Sequence, residues 1–408
     1  MIGAPHSLIR HPDMPRSVFK LFWDTLKADR PIGAYVKNLA GDGSYYWVYA
    51  FAFPIEDGYL SIRFKPSSAI FQEVQKIYGE IRDFEKGSDD LEAGEKLLVE
   101  SIQKRGFKNY EEFMVKAALT ELNARAAQVQ EQRQEGAAGR ENAQFTQIAD
   151  VTNSTLTRLN DVFAKVGGFQ SSNDVLLATI DSLDREFQNL KFISVNMTIA
   201  AAKFGNVASS LGVVSKEFST LSGQIENNLS GLNTFVGNLA AVIQKCSLQA
   251  SALNVQMLMV DFFVKESLTK LHQSEDAFAE MTANQKDFSG LFRDYSANLR
   301  REVASLSKYL SDFELAMGEV TKFITGLEVI RQIGAVESAR VDEVKQAFMH
   351  YLQQMDRFIQ LLRSATSTIK KESGLLQANS QVIHAAIGSV GGNVDAIFGL
   401  ASGVKAAA

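Results

Sequence analysis

Few side chains in this sequence have the type and spacing that chemistry requires. The five histidines, His6, His11, His272, His350 and His384, form no His-x-x-x-His or similar ligand pair, and Cys246 is the sole cysteine. A multi-thiolate metal site and an internal disulfide framework are therefore excluded, and no metal centre is expected. Cys246 occurs in Ala-Ala-Val-Ile-Gln-Lys-Cys-Ser-Leu, an apolar helical repeat, and reads as a core thiol rather than a redox switch. There is no Gly-rich phosphate loop, nucleophile elbow or metal-ligand cluster, so no enzyme is expected. One polar grouping stands out in Arg10-His11-Pro12-Asp13. Taken alone, His11 before a proline is a turn residue, and Asp13 is an N-cap for a helix that holds Pro15 in its first turn. Trp47, on an alternating run, reads as a core residue.

The elements that carry these residues follow from where proline occurs. All six prolines and both tryptophans lie within residues 1–66, and residues 67–408 contain neither. A proline inside a helix removes a hydrogen bond and clashes with the preceding turn, at about 3 kcal/mol, so its long absence suits very long helices. The 42 basic and 47 acidic residues give a net charge of −5 with no dense basic run, which argues against a nucleic-acid partner. The opening Met1-Ile2-Gly3-Ala4-Pro5-His6 lacks the basic start and apolar core of a secretory signal. The uncharged stretches 227–244 and 373–394 are interspersed with Asn, Gln, Ser and Gly, so no membrane span is expected and the chain reads as cytoplasmic.

In the head, Val18, Phe19, Leu21, Phe22, Trp23 and Leu26 give a helix reaching about Ala28, and three β-like runs follow at 33–40, 44–55 and 59–65. Their separators, Gly41-Asp42-Gly43 and Glu56-Asp57-Gly58, are hairpin-turn chemistry. Ile70, Phe71, Val74, Ile77, Tyr78, Ile81 and Phe84 then form an amphipathic exit helix over 67–85. Polar intervals at 86–90 and 130–145 mark the boundaries of a helical linker. The expected domains are 1–66, 67–145 and 146–408.

The helix and meander, with Arg10-His11-Pro12-Asp13-Met14-Pro15, Val36-Lys37-Asn38, Gly43-Ser44-Tyr45-Tyr46-Trp47-Val48 and Ser61-Ile62-Arg63-Phe64-Lys65-Pro66, resemble the C-terminal half of the PAS domain of bacterial aerotaxis receptors. The resemblance implies an FAD-binding sensor of cellular redox state. It implies that Arg10, His11, Asp13 and Trp47 belong to the flavin pocket. It also implies that the first strands and the short helices walling the ligand cleft are missing here.

From about residue 146, apolar residues recur at three and four. Val214, Phe218, Leu221, Ile225, Leu229, Leu232, Phe235, Leu239 and Val242 form one seam, and Phe288, Phe292, Tyr295, Leu299, Val303, Leu306, Leu310 and Phe313 another. Such seams want facing helices, within one chain or across two, and a homodimer is the default expectation. The fold expected is mainly α: a long helical bundle or antiparallel coiled coil with a small N-terminal α+β PAS-like fragment. Gly167-Gly168, Gly205, Gly334 and Gly391-Gly392 are its candidate breaks.

The stretch from Leu190 to Ser222 resembles the hairpin tip of methyl-accepting chemoreceptors, through Asn196, Ile199, Ala201, Ala202, Gly205, Val213 and Val214. Lys203 stands where that family has arginine, Ala200 where it has an acid, and Ala208-Ser209-Ser210-Leu211 replaces its Gly-Arg-Gly-Phe turn. The resemblance implies a signalling tip at Asn196, Ile199, Lys203, Gly205, Val213 and Val214 that contacts a chemotaxis histidine kinase and its coupling protein. A later run, Phe323 to Arg340, reads as a bundle corner with an i to i+3 ion pair. Receptor methylation has one matching site, Ala126-Ala127-Gln-Val-Gln130-Glu131. The function expected is a soluble chemoreceptor-like signal transducer. The alternative is a helical scaffold of receptor ancestry that controls no kinase.

Overall fold

The computed structural model describes residues 6–56, 58–133, 143–205, 209–270, 285–340 and 342–404. Among them are eight α-helices and one three-stranded antiparallel sheet, so the fold is mainly α with a small N-terminal α+β piece. After a 3-10 turn at His6–Ile9 come α1 (Arg16–Lys27), β1 (Ile32–Leu39), β2 (Tyr45–Ile55) and β3 (Gly58–Phe64). Helices α2 (Ala69–Glu85), α3 (Leu91–Gln103) and α4 (Tyr110–Arg133) follow. The remaining helices are α5 (Ala143–Phe204), α6 (Ser209–Lys270), α7 (Gln285–Ser338) and α8 (Asp342–Val404). The chain forms two compact units. The first comprises Met1–Ala164, Gln244–Arg300 and Ala385–Ala408, and the second Lys165–Ile243 and Arg301–His384.

In the first unit the sheet order is β1-β2-β3, with Val36 opposite Val48 and Phe51 opposite Ile62. The β1–β2 turn closes as Ser44 N–H donates to Asp42 Oδ1 at 2.9 Å, with Gly43 at φ 84° where a side chain would be strained. Strand period two divides the sheet into two unlike faces. One carries the fully buried Tyr35, Tyr49, Phe51 and Phe53. Helices α2 and α4 cover it: the Tyr78 hydroxyl donates to Tyr35 O at 3.1 Å and the Tyr49 hydroxyl to Met114 O at 3.0 Å. The other face carries Ala34, Val36, Ala50 and Ala52 and lies under α1.

Two remote carboxylates hold this arrangement, each at a helix N-terminus whose N–H groups lack intrahelical partners. Glu121 of α4, 1% exposed, accepts from the Tyr35 hydroxyl at 2.8 Å, from Ser67 and Ser68 N–H at 2.7 and 3.1 Å, and from the Ser68 hydroxyl at 2.6 Å. It thereby caps α2 and ties it to β1. Glu85, at the end of α2, accepts from Arg16 and Ser17 N–H at 2.7 and 2.8 Å and caps α1. The N-cap expected of Asp13 is thus not made: Pro15 occupies the N-cap position without a side-chain cap, and Asp13 pairs elsewhere.

The same unit seats the head against α6 and α7. Phe53 meets Tyr295 edge to face at 5.3 Å, and Leu248 shares a small cavity with Leu21, Ile32 and Met114. Residues 250–257 of α6 are buried without interruption, whereas a two-sided amphipathic helix would show exposure every turn. Buried Cys246 lies just ahead of this stretch, in the core as expected.

The second unit is a four-helix arrangement made within one chain. Lys191 pairs with Glu226 between α5 and α6 at 2.9 Å, and Phe235 stacks on Phe313 between α6 and α7 at 4.4 Å. Arg331 pairs with Asp356 between α7 and α8 at 3.0 Å, and Ser172 donates to Glu372 between α5 and α8 at 2.8 Å. Each helix therefore has two antiparallel neighbours. The burial pattern of the second hairpin repeats that of the first at constant offset: Leu211, Ser215, Ile225, Leu229, Leu232 and Val236 correspond to Val344, Phe348, Phe358, Leu362, Ala365 and Ile369.

Of the candidate breaks, Gly205 alone stands at the end of a helix, with φ 52°. Gly167-Gly168, Gly334 and Gly391-Gly392 lie inside helices. Close packing accounts for one of them: a Cβ on Gly334 would come 3.2 Å from Leu352. The expected corner near residue 340 is present, with Arg340 and Glu337 paired at 2.9 Å. The expected joint at 130–145 falls mostly outside the described residues, as do the side chains of the methylation match. Stretch 373–394 lies in α8, the one described helix long and apolar enough to cross a membrane by length and composition. Its Leu376, Ile383, Ile387, Val390 and Val394 are buried against protein.

Replacing Glu121 by Ala strands four donors in a dry site and is expected to lower the stability of the head by about 3 kcal/mol, against about 1 kcal/mol for Glu85→Ala. Urea unfolding followed by Trp23 and Trp47 fluorescence measures both. Equal effects would contradict the central place given to Glu121.

Candidate functional site

Between α1 and the small-residue face of the sheet is a cavity of about 230 Å³. Helix α1 supplies Val18, Phe19, Phe22, Trp23 and Leu26, and the strands supply Ala34, Val36, Ala50 and Ala52. The alternation in Tyr49-Ala50-Phe51-Ala52-Phe53 explains it locally: bulky rings fill the α2–α4 side, and alanines on the other side leave a slot. Tyr59, Ser61 and Arg63 of β3 form its polar edge, with Trp23 and Tyr59 meeting edge to face at 5.5 Å. Burial of the Arg63 guanidinium against these walls lowers its pKa from the usual value.

The residues expected in a ligand pocket are placed differently. Arg10, His11 and Asp13 are brought together, at the edge of β1. Arg10 bridges to Asn38, and its guanidinium stands 5.4 Å from the Phe19 ring centre. His11 Nδ1 accepts from Asp13 N–H at 3.0 Å, and His11 N–H donates to Lys37 O at 3.1 Å. Asp13 pairs with Lys37 and with Arg82, both at 2.8 Å. Trp47 lies on the opposite face, with ring centres 5.3 Å from Phe71 and 6.1 Å from Tyr78. None of the four lines the cavity. Asn38 was quoted in the sequence motif without a role. It is fully buried on the strand face that carries Ala34 and Val36, and both of its amide atoms lack a partner.

Flavin adenine dinucleotide, the cofactor implied by resemblance, brings a polyol and a diphosphate as well as its ring. A slot of this size and apolar character fits a ring system. Its polar edge of Tyr59, Ser61 and Arg63 does not make a site for the rest of the dinucleotide. The residues missed in the sequence are Trp23, Tyr59, Ser61 and Arg63, and the unread signal for the slot is the Tyr-Ala-Phe-Ala-Phe alternation.

In the second unit, Gly205 ends the helical run of α5, and residues 206–208 lie outside the described set. Asn196, Ile199 and Lys203 are exposed on α5 and Val213 on α6; Ile199 is 51% and Val213 62% exposed. Val214 instead packs in the core, near Gly334. Phe192, Val195 and Ile199 extend the exposed apolar face of α5. The Ser210 hydroxyl donates to Glu337 at 2.7 Å, so the α5–α6 and α7–α8 turns lie at one end of this unit.

Lys37, and secondarily Arg82, hold the Asp13 carboxyl below the ordinary 3.8. A depressed folded value means that Asp13 stabilises the head above about pH 4, and that this contribution fades as pH falls through the folded value. Asp13→Asn is therefore expected to flatten the stability profile below about pH 4 and to leave its shape near pH 7 unchanged. Urea titrations across that range would refute the assignment if the two profiles stayed parallel.

Residues 2–61 match the family model described as the PAS fold. Over 81 residues the chain is 40% identical to the aerotaxis receptor of Escherichia coli (strain K12), an alignment covering 19% of this chain and 16% of that receptor. The chain thus matches about one sixth of its curated relative's length. The N-terminal region of this protein carries a PAS fold.

Proposed function

We propose that this chain is a chemoreceptor-like signal transducer, in which the PAS head takes a small molecule in the slot beneath α1 and the helical body carries the output. The observation that carries this reading is the seating of the head on the flanks of α6 and α7 through Leu248 and Tyr295. Helix α1 supports the same reading, since one face walls the slot and its C-terminal end leads into Ile32 beside Leu248. Asp29, just after that end, holds φ 58°, the left-handed turn that closes α1 as Arg30 N–H donates to Thr25 O at 3.2 Å. A shift in α1 has a short mechanical route to helices that continue into the second unit.

The partners in this reading are a chemotaxis histidine kinase and its coupling protein, met by the exposed Asn196, Ile199, Lys203 and Val213 with Gly205 at the chain reversal, in the cytoplasm. Val214 supports them from the core. The homodimer expected from the apolar seams would form through other surfaces, since the seams are buried within one chain.

Two specific residues favour second readings. The unpartnered amide of Asn38 offers a donor and an acceptor to the edge of a flavin ring and favours a redox sensor. Ala200, in place of the family's acid, favours a scaffold without kinase control.

The full chain is expected to co-sediment with a reconstituted kinase and coupling-protein assembly and to change its phosphorylation rate. Ile199→Ala is expected to weaken that association about tenfold, as loss of an exposed apolar anchor does. Val214→Ala is expected to lower stability instead. Absence of both co-sedimentation and a rate change would leave the scaffold reading.

A further inference from the structure

We propose that the outer edge of β3 pairs with β3 of a second copy of this chain, in an antiparallel ladder centred on Ser61 that continues the sheet across a two-fold axis. This deepens the homodimer of the reading above by giving it a surface.

The two edges of the sheet are treated oppositely. On β1 the main-chain groups that face away from β2 are met one after another. Gly33 N–H donates to Met114 Sδ at 2.7 Å, and Gly33 O accepts from the Tyr110 hydroxyl at 3.1 Å. Tyr35 O accepts from the Tyr78 hydroxyl at 3.1 Å, Lys37 N–H donates to Met14 Sδ at 3.5 Å, and Lys37 O accepts from His11 N–H at 3.1 Å. The outward groups of β1 thus belong to Gly33, Tyr35 and Lys37. Tyr35 lies opposite Tyr49 and Tyr49 opposite Phe64, so the alternation carries across the sheet and the outward groups of β3 belong to Tyr59, Ser61 and Arg63. Among the described residues no strand lies beyond β3, and none hydrogen-bonds to the main chain of Tyr59 or Ser61 outside the sheet. Both residues are exposed. The strand itself, Gly-Tyr-Leu-Ser-Ile-Arg-Phe, has no proline and one charge, so it carries little of what blunts an edge against pairing.

The strand is complementary to itself, which is why a second copy is the occupant. Ser61 is the midpoint of Gly58–Phe64, so a two-fold axis through it uses the whole strand. Ser61 then exchanges main-chain hydrogen bonds with Ser61 of the partner subunit, and Tyr59 does so with Arg63 of the partner subunit, in step with the outward groups on both sides. On the opposite face Leu60 meets the partner's Ile62. Apolar residues face apolar ones, the cation faces an aromatic ring, and no like charges are opposed. Centring the axis on Arg63 would instead set two guanidinium groups against each other. An axis perpendicular to the sheet keeps both slots on one side, and the partner's strand then runs about 5 Å from the edge that Tyr59, Ser61 and Arg63 give to each slot. The second copy therefore supplies the wall that this edge lacks.

Sedimentation equilibrium of the full chain over a concentration series is the test, with the wild type expected to dimerise. Ser61→Lys and Ser61→Glu each set two like charges opposite one another at the axis, and each is expected to weaken self-association at least about tenfold. An equimolar mixture of the two variants is expected to restore the dimer, since only in the mixture do opposite charges meet. Because Ser61 is exposed, both variants are expected to keep the urea transition of the dilute wild-type chain. Ser61→Pro removes an outward N–H while leaving the ladder to β2 intact, and is expected to give the same loss by a second route. A wild type that stays monomeric throughout overturns the proposal, as does a dimer that both charge variants leave intact or one that their mixture fails to restore. If this pairing fails while the chain still joins the kinase assembly, the interface falls and the signalling reading stands; pairing without assembly is the reverse outcome.

Discussion

A buried carboxylate with four donors around it is the point on which the head depends. Glu121 comes from α4, yet its hydrogen bonds go to β1 and to the two serines that lead into α2. An ionised side chain in so dry a place is stable only when its acceptor sites are filled, and here peptide N–H groups at a helix start and two hydroxyls fill them. The effect reaches beyond Glu121 itself: its charge and burial push the Tyr35 hydroxyl well above the ordinary phenol range, burial being the larger cause. Tyr35 therefore remains a donor, and the sheet, α2 and α4 are locked as one body. Glu85 repeats the device on α1, so the ceiling of the slot is held by the far end of α2.

This locking gives the sheet two different faces. Large rings are spent on the side toward α2 and α4, where Tyr35, Tyr49, Phe51 and Phe53 leave no space. Alanines on the side toward α1 leave a cavity that no neighbouring side chain fills. The body uses small residues for the opposite purpose. Gly326 and Gly334 allow helices to approach each other closely, and there a Cβ would meet Leu221 and Leu352. Missing atoms leave room for a ligand in one region and let backbones approach in the other.

Much of the fold was legible because it depends on local pattern. The Gly41-Asp42-Gly43 turn, the amphipathic run from Ile70 to Phe84 and the three-and-four seams all carry their own period, and each formed the expected element. The errors came where a distant partner decides. Asp13 looked like a cap because the Glu85 carboxylate that caps α1 is remote in sequence. Gly334 looked like a break because Leu352, the neighbour it accommodates, is on another helix. Trp47 followed the strand alternation to the α2 side, as a core residue would, whereas the resemblance alone pointed to a ligand pocket. Residues 250–257 are buried on every side of α6, which no apolar period in the sequence announces.

The central claim is that a disturbance confined to the head is felt by the helices of the body. Hydrogen–deuterium exchange of the full chain, wild type against Glu121→Gln, tests it directly, because that substitution alters the lock without touching the slot, α6 or the hairpins. The account predicts faster exchange at the start of α2, again in α6 between Cys246 and Met257, and at the ends of α5 and α6 flanking residues 206–208. Faster exchange limited to α2, α4 and the sheet, with α5 and α6 unchanged, would contradict it.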